Sequence, residues 1–194
     1  IVTTSAENWS MEELSSVSID DEKAGETIVD YLIEYGHTKI AEIGANLELS
    51  QTAILRHNGY LNSLKKHGIT PDERYYERAR FSYDSAYRAM KKLLEKDIEI
   101  TAVYAISDVM AIGAIRAILD KGLRVPEDIS ITGFDGSTLA EYYNPKIVSI
   151  RQPHKDMAAR SVELLFNMID LHKGSCHEII PFELTEGKSV ARID

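Results

Sequence analysis

The sequence predicts an α/β fold with a parallel sheet and a ligand crevice at the carboxyl ends of its strands. Short apolar runs alternate with longer helical patterns from residue 20 to residue 150, which is typical of strand–helix repeats. The clearest repeat is residues 107–136, SDVMAIGAIRAILDKGLRVPEDISITGFDG. Polar residues follow both of its strands, at Ser107–Asp108 and Asp135–Gly136. In a right-handed parallel unit both pairs lie at one edge of the sheet, where open α/β folds bind ligands.

Each part of this unit has a local cause. Asp108 is a good helix N-cap, and the apolar run 109–119 predicts a helix that is buried on most sides. Gly122 can adopt the left-handed conformation that ends this helix. The runs 101–106 and 129–135 are short, apolar and rich in β-branched or aromatic residues, so they predict the two strands on either side.

The rest of the chain up to residue 150 repeats this alternation. Apolar residues at helical spacing predict three further helices, and β-prone runs between them predict strands. The predicted helices span 20–35, 51–67 and 83–96, and the predicted strands span 39–43, 75–81 and 147–150.

The pattern changes after Gln152–Pro153, which we interpret as a crossover to a second lobe. A helix at 154–171 and a strand at 178–182 need a sheet to pack on, and only the first residues of the chain could complete it. We therefore predict a two-lobed fold of parallel sheets flanked by helices. Residues 18–150 form a complete C-terminal lobe, and residues 1–17 and 151–187 form a partial N-terminal lobe. Since residues 1–4 resemble the end of a strand, we expect an N-terminal part to be absent.

The composition argues against several classes of function. The chain has 194 residues, a net charge of -9 and a pI near 5.2. Nucleic-acid binding depends on cations that displace counterions, so this polypeptide itself is not expected to bind DNA. No run approaches ~18 apolar residues, and no signal peptide is evident, so we expect no membrane association. The single cysteine, Cys176, cannot form an internal disulfide, and we expect a cytoplasmic protein.

No motif of an enzyme or a metal site occurs in the sequence. A glycine-rich phosphate loop, HExxH and GxSxG are all absent. Cys176 has only His172 and His177 nearby, which is too few ligands for a metal site. Asp20 and Asp21 are interpreted as a helix start rather than an acid/base pair. We expect no catalysis, no cofactor and no bound metal.

Five motifs resemble the ligand-binding domain of LacI/GalR-type bacterial transcription regulators. In order they are GHTKIAEIG, RHNGY, SDVMAIGAIRAI, GLRVPEDISITGFD and NPKIVSIRQP, between residues 36 and 153. The resemblance implies a two-lobed, periplasmic-binding-protein-like core that binds a small effector between its lobes and forms a homodimer. It also implies a separate N-terminal helix-turn-helix domain, absent from this sequence, that would bind operator DNA. The link 5–18 is expected to be too short and too polar to hold the apolar strand that the family usually has there.

The resemblance also implies five effector-binding residues. Arg56, three residues before the Gly-Tyr pair, lies where the family often places an arginine that holds polar groups of the effector. Asp135, after Gly-Phe, occupies the position of the pocket acid. Phe81 falls at an aromatic position of the pocket wall, and His154 falls where a second ring often stacks. Ser107 replaces the common asparagine, so a hydrogen bond there is expected to be shortened or lost.

These residue types suit a sugar, which offers adjacent hydroxyls and an apolar ring face. Asp135 can accept two hydroxyl protons, Arg56 can donate through its planar fork, and Phe81 can cover the ring. Arg56 and Asp135 can also pair with each other when the site is empty. Each of these residues also has a purely structural interpretation. Arg56 could be a solvated helix residue and Asp135 a turn cap. Phe81 could be a core residue and His154 a helix N-terminal cap.

The sequence thus predicts the effector-binding core of a sugar-responsive transcription regulator. The alternative is an exported solute-binding protein of a sugar uptake system, which would share the two-lobed core but remain monomeric. Some members of the family bind purines or a phosphoprotein partner, and Ser107 and His154 do not exclude those.

Overall fold

The computed structural model describes residues 2–4, 15–48, 50–171 and 175–193. In chain order the elements are β1 (Val2–Thr4), β2 (Ser15–Ser18), α1 (Asp21–Glu34), β3 (Ile40–Gly44), α2 (Gln51–Lys66), β4 (Tyr76–Arg78), α3 (Tyr83–Glu95), β5 (Ala102–Ala105), α4 (Asp108–Asp120), β6 (Ser130–Asp135), α5 (Thr138–Tyr142), β7 (Val148–Arg151), α6 (His154–Leu171), β8 (His177–Ile179) and β9 (Glu183–Thr185). All five predicted helices are present. The strand predicted at 75–81 is confined to β4, which a short 3-10 helix, Glu73–Tyr75, precedes.

Most of the chain forms one six-stranded sheet with the order β4-β3-β5-β6-β7-β9. All neighbours pair in parallel except β7 and β9. The connections β3–α2–β4 and β5–α4–β6 run in opposite directions along the sheet, and right-handed crossovers then place α2 and α4 on opposite faces. Helix α1 packs against α2, and α3 packs against α4. The strand order reverses between β3 and β5, which is the point where such sheets bind ligands.

The core lies between this sheet and its two helix pairs. Strands β3 and β5 are buried along their whole length, as expected for central parallel strands. Helix α4 is buried on most sides, as its apolar run predicts. The largest fully buried side chains include Ile28, Leu32, Ile43, Met90, Leu93, Tyr104, Ile115, Ile118 and Phe134.

The second sheet has three parallel strands in the order β1-β2-β8, with α6 packed on it. The expectation that the link 5–18 is too polar for a strand is wrong for β2, which is buried at all four residues. Two of its serine hydroxyls bond the neighbouring segment that contains β8. Ser15 Oγ accepts from the Cys176 amide at 3.0 Å, and Ser16 Oγ lies 2.9 Å from His177 Nδ1. The rest of that link, residues 5–14, lies outside the described residues.

The predicted N-terminal lobe segment 151–187 is wrong at its end. Strand β9 pairs antiparallel with β7 in the six-stranded sheet. The following residues stay with that sheet, since Ser189 Oγ donates to the Ile131 carbonyl at 2.6 Å and accepts from the Val148 amide at 2.9 Å. Ser189 thus bonds one backbone group of β6 and one of β7, so the chain returns to the larger sheet after β8. None of the helices in the described ranges is long and apolar enough to cross a membrane.

Candidate functional site

Arg56 lies at the carboxyl edge of the six-stranded sheet, where the strand order reverses. Its side chain is 4% exposed, and its Nε donates to Asp21 Oδ1 at 2.7 Å. Nη1 donates to the carbonyl of Ile106, just beyond β5, at 2.7 Å. The guanidinium carbon lies 3.5 Å from the centre of the Phe134 ring, close enough for a cation–π interaction. These contacts fix the guanidinium plane, and Nη2 makes no hydrogen bond to any residue in the described ranges.

Asp135 faces Arg56 from the end of β6. Its Oδ1 lies 3.6 Å from Arg56 Nη1, so the predicted charge pair is present. Gln152 Nε2 donates to the same oxygen at 2.7 Å. The side chain is 33% exposed, in contrast to that of Arg56. Asp135 also has a φ of +108°, which is strained for a residue other than glycine. Such strain is typical of positions held for a ligand.

The site carries more negative than positive charge. Burial raises the pKa of Asp135 to about 6, with the charge of Asp108 adding to this effect and Arg56 opposing it. Burial also raises the pKa values of Asp21 and Asp108 above the ordinary range despite nearby donors. Asp21 and Asp135 thus pair with one guanidinium, and Asp108 lies near enough for its charge to interact with Arg56. The arrangement favours a ligand that donates hydrogen bonds and disfavours one that brings a further negative charge.

The turn at Ser107–Asp108 has a different cap from the one predicted. Ser107 is the N-cap of α4, and its Oγ accepts from the Met110 amide at 3.3 Å. Asp108 is the first helical residue and is buried. Its carboxylate accepts from the Ser137 amide and from Ser149 Oγ, both at 2.6 Å. Asp108 therefore ties the loop after β6 to α4, while the Ser107 hydroxyl still has a proton to donate.

The Gly-Phe-Asp motif is explained by close packing at this edge. A Cβ at Gly133 would lie 2.4 Å from Asp108 Oδ1, so only glycine leaves room for the buried carboxylate. The next residue, Phe134, is fully buried beneath the Arg56 guanidinium.

Phe81 and His154 lie at the same edge of the sheet. Phe81 lies between β4 and α3, and its side chain is half exposed. His154 is the exposed first residue of α6, directly after β7. It is close enough to Asp135 for its charge to lower the pKa of that carboxyl. Both residues therefore follow strands whose ends surround Arg56.

Two further residues complete the site, and the sequence analysis did not identify either. Asp21 was interpreted as part of a helix start, but Asp20 alone caps α1, by accepting from the Lys23 amide at 2.8 Å. Asp21 is thus free to pair with Arg56. Gln152 was interpreted only as a crossover residue. A helix needs only one N-cap, so the presence of two adjacent acids could have indicated a second role for Asp21. Nothing in the sequence indicated a role for Gln152.

The sequence profile of the periplasmic binding protein-like domain matches residues 29–190. This match covers most of the chain. The proteins that are similar to this chain include LacI-family regulators. The chain belongs to the LacI family. It is 40% identical over 185 residues to the HTH-type transcriptional regulator MalR of Clostridium butyricum, an alignment that covers 92% of this chain and 53% of MalR. The chain spans about half the length of the curated relatives that it matches.

Two solved structures carry the same fold with a sugar present. A CelR–cellobiose complex superimposes with a TM-score of 0.91 at 31% identity, over 97% of this chain and 58% of CelR. A LacI family regulator from Enterococcus faecium with bound ribose has a TM-score of 0.91 at 26% identity, over 100% of this chain and 71% of its own. These relatives are regulators, which supports the regulator over the uptake-protein alternative.

Proposed function

We propose that this domain binds a small, uncharged, hydroxyl-rich molecule, a sugar, at the carboxyl edge of the six-stranded sheet. The observation that carries the proposal is Arg56, fixed between Asp21 and Asp135 in a site with excess carboxylate. A sugar hydroxyl can donate to Asp135 and accept from Arg56 at once, which satisfies both charged groups without adding a third. The cellobiose and ribose complexes of two relatives favour the same ligand class.

In this proposal each side chain has a distinct role. Arg56 donates through Nη2, Asp135 accepts hydroxyl protons, and Ser107 adds a hydroxyl donor. Phe81 covers the apolar face of the sugar ring, and His154 approaches from the segment that joins the two sheets. Asp21 and Gln152 hold Arg56 and Asp135 in position. The site binds without catalysis and needs neither cofactor nor metal. Among the described residues, no group of three or more His, Cys, Asp and Glu is arranged to hold a metal ion.

Regulation follows from a difference in affinity. A sugar that contacts both lobes stabilises the closed arrangement only by the excess of its affinity for that form. In the intact cytoplasmic protein, closure would change the spacing of two DNA-binding domains that lie outside this chain.

A thermal-shift screen against sugars, sugar phosphates and purines tests this function. A ligand of the native state raises the melting temperature by mass action. We expect an uncharged mono- or disaccharide such as ribose or cellobiose to raise it, and sugar phosphates to raise it less. A response to purines or sugar phosphates alone would contradict the proposal.

Asp135→Asn is expected to weaken binding of the sugar found in that screen by about 1–3 kcal/mol, because the ligand loses a charged acceptor in a desolvated site. The amide keeps the shape of the side chain, so the fold should remain. Calorimetry measures the change. Asp97→Asn, an exposed aspartate beyond α3, is the matched control and should bind normally. Equal affinity for both variants would remove Asp135 from the site.

We also propose that the domain forms a homodimer through the helices α3–α5. These adjacent helices expose large apolar side chains, among them Tyr83, Leu119, Leu139 and Tyr142, the last with 82% of its surface accessible. Exposed apolar residues on neighbouring helices are typical of association surfaces, and symmetric dimers are the commonest assembly. Sedimentation equilibrium should give twice the 21.8 kDa chain mass; a monomer at micromolar concentration would contradict the proposal.

A further inference from the structure

A cavity of about 590 Å³ lies beside α2, and Arg56 is not among the residues that line it. It opens between α2 and the edge strand β4, and rings and aliphatic carbons form most of its walls. The rings are those of His57, Tyr60 and Tyr76, with Leu61 beside them. His57 directly follows Arg56 in the sequence, so the two neighbours on α2 face different sites. Ligand pockets of a few hundred Å³ commonly have such apolar walls with few polar groups.

His57 is held as a donor by a buried carboxylate. Its Nδ1 lies 2.6 Å from Oε2 of Glu42, whose side chain is fully buried in β3. The other oxygen, Oε1, has no hydrogen-bond partner among the described residues. Burial raises the pKa of Glu42, and the bond from His57 opposes that rise. Burial opposes protonation of His57, but the bond to Glu42 outweighs it and raises the pKa of the imidazole. The Nε2 atom on the opposite side of the ring makes no hydrogen bond to any described residue and is available to a ligand.

The cavity is polarised along β4. Tyr76 and Arg78 are two residues apart on the strand, so their side chains project to the same side. Across the described part of the chain, no carboxylate lies within ion-pair distance of Arg78. At the other end, Asp72 and Glu73 precede the strand. Asp72 is occupied by Arg74, whose Nη2 donates to it at 2.6 Å. Among the described residues, one end thus presents a cation without a carboxylate partner, next to the Tyr76 hydroxyl, and the other end is acidic.

We propose that this cavity is a second ligand site, for a small planar-ring molecule with one anionic group. The ring stacks against Tyr76 and Tyr60, whose rings lie 4.9 and 6.2 Å from that of His57. The anionic group binds Arg78, which can hold a carboxylate or phosphate through two N–H groups, and His57 Nε2 donates to it or to a ring substituent. A ligand here contacts the same helical turn that carries Arg56.

Isothermal titration calorimetry of this chain with four probes tests the proposal. Benzoate and phenyl phosphate carry a ring with either kind of anion, phenol lacks the charge, and acetate lacks the ring. We expect saturable binding of benzoate or phenyl phosphate, at least tenfold tighter than that of phenol and acetate. Arg78→Gln should weaken it at least tenfold, while Arg88→Gln, an exposed arginine of α3, should not.

Three results would overturn the proposal. They are no saturable binding of either ring anion, equal binding of phenol, and equal affinity for the Arg78→Gln and Arg88→Gln variants. Because Arg78 is exposed at the sheet edge, its replacement should leave the fold intact, and the melting temperature of the free variant verifies this.

Discussion

Replacing Arg56 with methionine is expected to lower the free energy of unfolding by about 3–5 kcal/mol and to abolish sugar binding. Methionine fills a similar volume, but Asp21 and Asp135 lose the cation that both contact. Removing one partner of a buried pair leaves the other charge without compensation, and this costs more than the pair itself contributes. The carbonyl of Ile106 would also lose its 2.7 Å bond from Nη1.

Urea unfolding measures this loss. Arg116→Met is the matched control, since Arg116 pairs with Asp120 at 2.9 Å on an exposed helix face and such pairs contribute little. The double variant Asp21→Asn with Arg56→Met should recover part of the stability because one stranded carboxylate is gone. If Arg56→Met were no less stable than Arg116→Met, the buried charge cluster would not hold the site together.

Gly59→Ala is expected to destabilise the fold by about 2–3 kcal/mol. In an exposed helix the same change would stabilise by about 1 kcal/mol, so even the sign tests the packing. At Gly59 an added Cβ would lie 2.2 Å from the Glu22 carbonyl oxygen and 2.6 Å from the Glu26 amide nitrogen of α1. Both are backbone atoms, so the two helices would have to separate.

The matched control for Gly59→Ala is Asn58→Ala, one residue earlier on α2 and half-buried. It should be neutral or slightly stabilising, because alanine favours helix and meets no backbone there. Urea unfolding of both variants gives the comparison. A stabilising Gly59→Ala would show that α1 and α2 are farther apart than the structure places them.

The RHNGY motif shows why much of the fold could be predicted from sequence. Its glycine allows α1 and α2 to touch, and the Tyr60 hydroxyl donates to the Ile40 carbonyl at 2.9 Å. Both roles are local enough to leave a recognisable pattern. The return of the chain to the larger sheet at β9 left none, because Ser189 acts across 58 residues on Ile131. The pairing partner of a three-residue strand of mixed burial cannot be predicted from its hydrophobic pattern.

The site shows the same division. Arg56 and Asp135 could be placed from motifs, because each follows a distinct glycine or aromatic pattern. Asp21 could not, since an acid at a helix start is usually interpreted through the helix dipole, and only the structure shows that its neighbour Asp20 is the cap. The buried Glu42–His57 pair could not be predicted either, because a single acid in an apolar strand forms no motif with other residues.

The pH dependence of sugar affinity tests the central claim most directly. The pKa of Asp135 is raised to about 6 in the free domain, so the carboxylate form predominates only above that pH. If the sugar donates hydroxyl protons to that carboxylate, the affinity of the domain for the sugar must rise with pH through about 6 and level off above 7. Below pH 6 the affinity should change by up to tenfold per pH unit. Calorimetry from pH 5 to pH 8 should show this rise for the wild-type chain and a flat profile for Asp135→Asn. A flat wild-type profile, or the same rise in both proteins, would contradict the account.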